Sequence, residues 1–136
     1  IDLSTRAEIL HMMKTVQQEL GLTYLYITHD LSTARYFTDR LAVMYLGKIV
    51  ELGDSDELII RTAHPYTKAL IDALPKFGRH TGEYFGTLLK NERKTPQGEY
   101  CPFFTRCKIA VPERCEREKP ALEKVGDDHL AACFYI

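Results

Sequence analysis

Apolar positions return at steps of three and four along the first twenty residues. Ile9, Leu10, Met13, Val16 and Leu20 share one helical face, Thr5 and Glu8 stand at capping-box spacing before them, and Gly21 follows as a stop. The pattern then changes. Residues 22 to 28 (LTYLYIT) are β-branched and aromatic with little polar alternation, which suits a strand covered on both faces, as in a parallel sheet. Asp30 can cap a short helix over residues 31 to 38, after which RLAVMYLGKIVELG reads as two strands turning at Gly47. Ser55, with Asp56 and Glu57 behind it, caps another helix, and Pro65 sits in the first turn of the next, which runs through Leu74 and stops at Pro75. This alternation predicts an α/β fold.

Beyond Pro75 the periodicity fades. Residues 76 to 100 are polar, Gly-bearing and weakly periodic, and all four cysteines fall after them. Three segments follow: residues 1 to 75, a linker or arm over 76 to 100, and a cysteine-rich region over 101 to 136. With 45% hydrophobic residues in a chain of 136, there is material for one modest core. Eighteen basic against nineteen acidic residues leave a net charge of −1, so no global field recruits nucleic acid or an anionic membrane. No apolar run approaches the roughly 18 to 20 residues of a spanning helix. The opening IDLSTRAEIL lacks the zones of a signal peptide and an initiating Met, so the chain is expected to begin mid-protein.

Two sets of residues carry chemistry. His29 stands just past the carboxyl end of the expected buried strand, where open α/β sheets present side chains to ligands; on position alone it could equally bond a loop carbonyl. Cys101, Cys107, Cys115 and Cys133 are separated by five, seven and seventeen residues. Four thiolates can fill a tetrahedral zinc site or hold an iron–sulfur cluster. The close Cys-x2-4-Cys knuckles usual for structural zinc are absent, and four oxidised cysteines would allow three disulfide connectivities. Unligated thiols are the remaining reading. Pro102, Arg106 and Pro112 would stiffen the loops or bring a charge near the sulfurs. His129, four residues before Cys133, reads as structural, and the aromatic residues of EYFGTLL (83 to 89) read as packing rather than base-stacking.

The stretch YITHDLSTARYFTDRLAVMYLGKIVELG resembles the switch region of ATP-binding cassette (ABC) ATPases, in which a strand ends in Thr-His-Asp and a hairpin closes the subunit. IDLSTRAEIL resembles the end of that family's D-loop and the helix after it. HPYTKALIDALP (64 to 75) and the segment from Cys101 to Cys133 resemble the His-Pro-Tyr element and cysteine region of the oligopeptide and dipeptide importer branch. The resemblance implies the C-terminal part of an ABC-type P-loop ATPase domain ending in a β-hairpin, followed by helices and a small irregular cysteine-rich region. It makes His29 the switch histidine that contacts the γ-phosphate, Asp2 the D-loop aspartate at the nucleotide-dimer interface, and the four cysteines ligands of a [4Fe–4S] cluster, with zinc the lesser alternative. His64, Pro65 and Tyr66 read as a helix start with an aromatic packed on the core.

For the parent subunit the resemblance implies ATP and Mg2+, membrane-spanning permease subunits, a second ATP-binding subunit and, indirectly, a substrate-binding protein. It places that subunit peripherally on the cytoplasmic face of the membrane and implies no nucleic-acid partner. The cargo would be peptides or a related solute such as nickel. No Gly-x4-Gly-Lys-Ser/Thr phosphate loop occurs in these 136 residues, so the chain alone is expected not to hydrolyse ATP, and its apolar strand surface is expected to favour self-association. The alternative is a stand-alone metal-binding regulatory or redox module that keeps the switch region as scaffold. A soluble ATPase acting on nucleic acid is a weaker one, because an importer-type cysteine tail counts against it.

Overall fold

The computed structural model describes residues 3 to 74 and 97 to 136, which form two compact units, Ile1–Thr38 and Asp39–Ile136. Asp2, Pro75, most of the expected arm and the aromatic run 83 to 89 lie outside the described residues.

In the first unit, helix α1 spans Leu3–Leu20. Thr5 therefore sits inside its first turns instead of capping it, because the helix starts three residues earlier than the capping-box spacing implies. The C-terminus follows expectation: Gly21 adopts φ +62°, and the Leu22 amide returns to the Gln17 carbonyl at 3.0 Å, a Schellman-type closure that a residue with a Cβ disfavours. Residues 22 to 28 form no strand with any described residue. Tyr24 and Tyr26 pack on Phe37 with ring centroids 6.5 and 5.2 Å away, while Leu25 and Ile27 are 90% and 87% exposed. The segment thus has strand-type residues with one side of them bare. Helix α2, Leu31–Phe37, follows with Asp30 as its N-cap, as expected.

The second unit is built on the expected hairpin. Strand β1 (Arg40–Tyr45) pairs antiparallel with β2 (Lys48–Asp54) across a tight turn in which Leu46 and Gly47 both take positive φ, +46° and +73°, the geometry of a two-residue hairpin loop. Leu41, Val43 and Tyr45 alternate inward along β1. The register slips between Val43 and Met44, leaving Val50 as an extra residue on β2, and this bulge lets Val50 and its neighbour Glu51 both be buried. Helix α3 spans Ser55–Ile60. Its cap is Asp54, not Ser55: the Asp54 carboxylate accepts the amides of Asp56 and Glu57 at 3.0 Å each. Helix α4, Pro65–Asp72, is shorter than the expected run to Leu74.

The cysteine region carries more regular structure than its composition implies. Turns lead to the short helix α5 (Pro112–Cys115), and a second hairpin joins β3 (Glu123–Gly126) to β4 (His129–Ala131). Strand β4 pairs antiparallel with the free edge of β2, giving a four-stranded sheet in the order β1-β2-β4-β3. The tail therefore adds strands to the expected hairpin. The two strands approach so closely at Gly53 that a Cβ there would lie 2.6 Å from the Asp128 carbonyl oxygen. Leu58, Ala69, Phe103 and Ala131 fill the core between sheet, helices and cysteine loop. Among the described residues no helix is long and apolar enough to cross a membrane.

Candidate functional site

In the first unit the local chemistry fixes the backbone around His29. The Asp30 amide donates to the Thr28 hydroxyl at 3.0 Å. The Asp30 carboxylate accepts the amides of Ser32 and Thr33 at 3.1 and 3.2 Å, both of their hydroxyls, and the Arg6 guanidinium of α1 at 3.1 Å. Those donors, the Ser32 and Thr33 hydroxyls foremost, hold its carboxyl well below the ordinary carboxylate range. His29, between these two anchored residues, is exposed. The result is an imidazole presented to solvent from a braced turn, able to donate a hydrogen bond to an anionic ligand.

In the second unit a buried carboxylate organises the other expected elements. Glu51 is fully buried; its Oε1 accepts the Ala63 amide at 2.7 Å and lies 2.7 Å from His129 Nε2, while its Oε2 accepts the His64 amide at 3.1 Å. One side chain on β2 thereby ties down the start of α4 and strand β4. His64 in turn caps α4, its Nδ1 accepting the Tyr66 amide at 3.1 Å, which leaves Nε2 as the protonated nitrogen. Burial keeps His64 neutral, lowering its pKa to about 4. Phe103 is the hub of the aromatic packing: the rings of Tyr45, Tyr66 and His64 surround it at 5.1, 5.3 and 5.8 Å. Burial, with a smaller contribution from Tyr45, raises the Tyr66 hydroxyl's pKa, and the Arg106 charge acts in the opposite sense.

Phe103 also brings the cysteines into this core. The Cys101 amide donates to the Cys115 carbonyl at 2.8 Å, the Cys107 amide folds back to Phe103 at 3.0 Å, and Pro112 starts the short helix that ends at Cys115. Pairing of β4 with β2 continues to Ala132, whose amide reaches the Val50 carbonyl at 2.8 Å, and so delivers the next residue, Cys133. All four cysteines are free thiols and line one small apolar cavity together with His64 and Phe103. Cys101, Cys107 and Cys115 are buried and Cys133 is half-buried. Desolvation pushes the Cys101 thiol up to about 11 and raises Cys133 as well, so a metal entering here must displace protons. Among the described residues no three His, Cys, Asp or Glu side chains are drawn together as a single metal ion requires. Arg114 lies over the Phe134 ring at 4.0 Å and closes the edge of the tail.

His29 and the cysteines thus occupy different units. The sequence reading missed Glu51, whose signal is a carboxylate between apolar Val50 and Leu52 in the middle of β2. His129 is structural, as expected, but its partner is this distant glutamate.

Residues 50–115 match the family described as oligopeptide/dipeptide transporter, C-terminal region. Among curated proteins, the chain is 39% identical over its whole length to the dipeptide transport ATP-binding protein DppF of Haemophilus influenzae, covering 42% of that protein. It is 42% identical over 93% of its length to the probable D,D-dipeptide transport ATP-binding protein DdpF of Escherichia coli, covering 41% of it. It is also 39% identical over 98% of its length to the oligopeptide transport ATP-binding protein AppF of Bacillus subtilis, again covering 41%. The chain spans about two fifths of the length of these relatives.

Proposed function

Because the chain belongs to the family of ATP-binding subunits of oligopeptide and dipeptide ABC transporters, and corresponds to their C-terminal region, we propose that it supplies the switch histidine and the cysteine-bearing tail of such a subunit. The observation that carries this reading is the placement of His29: exposed, on a turn braced by Thr28 and Asp30, at the end of an apolar segment with no ladder partner among the described residues. In the whole subunit residues 22 to 28 would pair as a buried strand of the ATPase sheet, covering Leu25 and Ile27. His29 would then donate a hydrogen bond to the γ-phosphate of ATP–Mg2+ held by a phosphate loop elsewhere in the subunit. Charge-assisted hydrogen bonds contribute roughly 1.5 to 3 kcal/mol, and phosphoryl transfer depends mainly on such positioning and charge stabilisation. Asp2 would shape the contact with a second ATP-binding subunit. The partners would be membrane-spanning permease subunits and, through them, a substrate-binding protein, on the cytoplasmic face of the membrane, with peptides or a related solute such as nickel as cargo.

The cysteine cavity fits an iron–sulfur group in the kind and number of its donors: four free thiols on one otherwise apolar wall. Among the described residues no three ligand-type side chains are gathered as a metal ion requires, so holding a cluster or zinc would need the cysteine segments to rearrange. Cys101, Cys107, Cys115 and Cys133 would hold it, and a bound [4Fe–4S] cluster would supply one-electron chemistry or a structural cross-link. The cavity is small, so loading would move the 101–115 loop and the segment after β4 apart.

Calorimetric titration with ATP–Mg2+ tests the nucleotide reading. The 136-residue chain should give no saturable binding and a subunit of the relatives' full length should give it; tight binding to the short chain would overturn the reading.

A further inference from the structure

We infer that Cys101 and Cys115 are a redox pair: in the metal-free chain they are placed to close a disulfide with a small hydroperoxide as oxidant. The backbone sets their separation. The Cys101 amide donates to the Cys115 carbonyl at 2.8 Å. Each of those two atoms is tied to its own Cα, the nitrogen at about 1.5 Å and the oxygen at about 2.4 Å, so the Cα atoms lie no more than roughly 6.7 Å apart. Disulfides span Cα separations of about 4.4 to 6.8 Å. Separation alone is not enough, because cysteines whose Cβ vectors diverge cannot be bridged. Here both side chains are buried on the wall of one cavity, and neither is in a disulfide.

The surroundings hold the pair in that relation. The Phe104 amide returns to the Cys101 carbonyl at 2.9 Å and the Cys115 amide to the Val111 carbonyl at 2.8 Å, so each cysteine is fixed by a turn of its own. The cavity measures about 10 Å³, which leaves no room for more than one water between the groups that line it. Among the described residues no three ligand-type side chains are gathered, so a metal requires the segments to move, whereas a disulfide requires only two sulfurs to meet. In the reaction one sulfur attacks the peroxide, whose O–O bond breaks to leave S–OH and a water. The second sulfur then displaces that oxygen as a second water and the S–S bond forms. Two thiols lose two electrons and two protons, and the peroxide takes up both. Closing the bridge withdraws two of the four thiols, so the bridged chain and a metal-loaded chain exclude each other. The inference does not depend on the cluster reading above.

Trypsin cuts after Arg106, Lys108, Arg114 and Arg117, which puts the four cysteines in four different peptides. The test treats reduced, chelator-stripped chain with stoichiometric hydrogen peroxide, once folded and once in guanidinium. Remaining thiols are alkylated and the linked peptides quantified by mass spectrometry. The folded chain should lose two of its four thiols and give the Cys101–Cys115 link as the main product, reversed by dithiothreitol. The unfolded chain should give a mixture led by Cys101–Cys107 and Cys107–Cys115, because shorter loops close more easily. A different main pair in the folded chain, the same mixture under both conditions, or four thiols still unreacted in the folded chain would overturn the inference. Anaerobic incubation with ferrous iron and sulfide then separates this pair from the cluster. Uptake by the reduced chain and none by the bridged chain is expected. Full uptake by the bridged chain would overturn the mutual exclusion, and no uptake by the reduced chain would overturn the cluster reading while leaving the bridge in place.

Discussion

Glu51 Oε1 and His129 Nε2 lie 2.7 Å apart with both residues shut away from solvent, joining a strand of the first hairpin to a strand 78 residues further along the chain. The same carboxylate takes the amides of Ala63 and His64, so removing it strands three donors in the core. Glu51→Ala should cost roughly 3 to 5 kcal/mol of stability and Glu51→Gln, which keeps an acceptor, roughly 1 to 3. Urea unfolding curves check both, and a Glu51→Ala protein as stable as wild type would refute this account of the core.

Gly53 makes the same strand contact sterically. Its missing Cβ leaves room for the Asp128 carbonyl, which would otherwise sit at 2.6 Å. Gly53→Ala should push β4 off β2 at a cost of about 1 to 3 kcal/mol. Hydrogen exchange will report it, as faster exchange of the Asp54 and Ala132 amides that bond across this seam. Combined with Glu51→Ala the loss should be less than additive, since both changes release one strand.

A pH effect follows from Asp30. Its carboxyl titrates below the ordinary 3.8, held down by the hydroxyls and amides of Ser32 and Thr33, so its ionised form is favoured by folding. That stability is fully present above pH 4 and drains away as pH falls through 3.8 toward the folded value. Asp30→Asn keeps the cap but loses the charge and the Arg6 pair, which should cost about 1 kcal/mol at pH 7. Helix loss in urea, followed by circular dichroism, should show the gap between the two proteins constant from pH 5 to 8 and closing below pH 4.

Removal of the proposed cluster should be felt in the sheet as well as at the thiols. Cys101 and Cys115 share a backbone hydrogen bond, and Cys133 follows the residue that completes the β2–β4 seam. A cluster joining these segments adds its binding energy to folding, so chelation or Cys107→Ser should abolish bound iron and lower the thermal midpoint by several degrees. An unchanged midpoint after iron loss would show that the tail folds without metal.

Local chemistry was readable from the sequence, and long-range pairing was not. Gly21, Asp30 and Gly47 declare a helix stop, a cap and a turn through their own backbone preferences, and the structure uses all three. Ser55 was one position off, because Asp54 offers a carboxylate for the same amides. Strands β3 and β4 are four and three residues long, too short for a period-2 signal, and they exist because β2 had an edge to offer. Residues 22 to 28 show the converse: strand-type side chains are a local property, whereas a strand is a property of a pair. Spacing alone could not bring Cys133 to the other thiols; Glu51, Gly53 and the β2–β4 register do that. The expectation for His29 came from the residues around it, and its exposure on a braced turn needed the fold.

The most direct test of the central claim is ATP turnover by an assembled transporter whose ATP-binding subunit carries this region, with His29 intact and with His29→Ala. The account predicts a fall in kcat of about 100-fold or more, from the loss of positioning and charge stabilisation at the γ-phosphate, with ATP affinity changed by only a few-fold. Turnover equal to wild type would contradict it and return His29 to an ordinary surface residue.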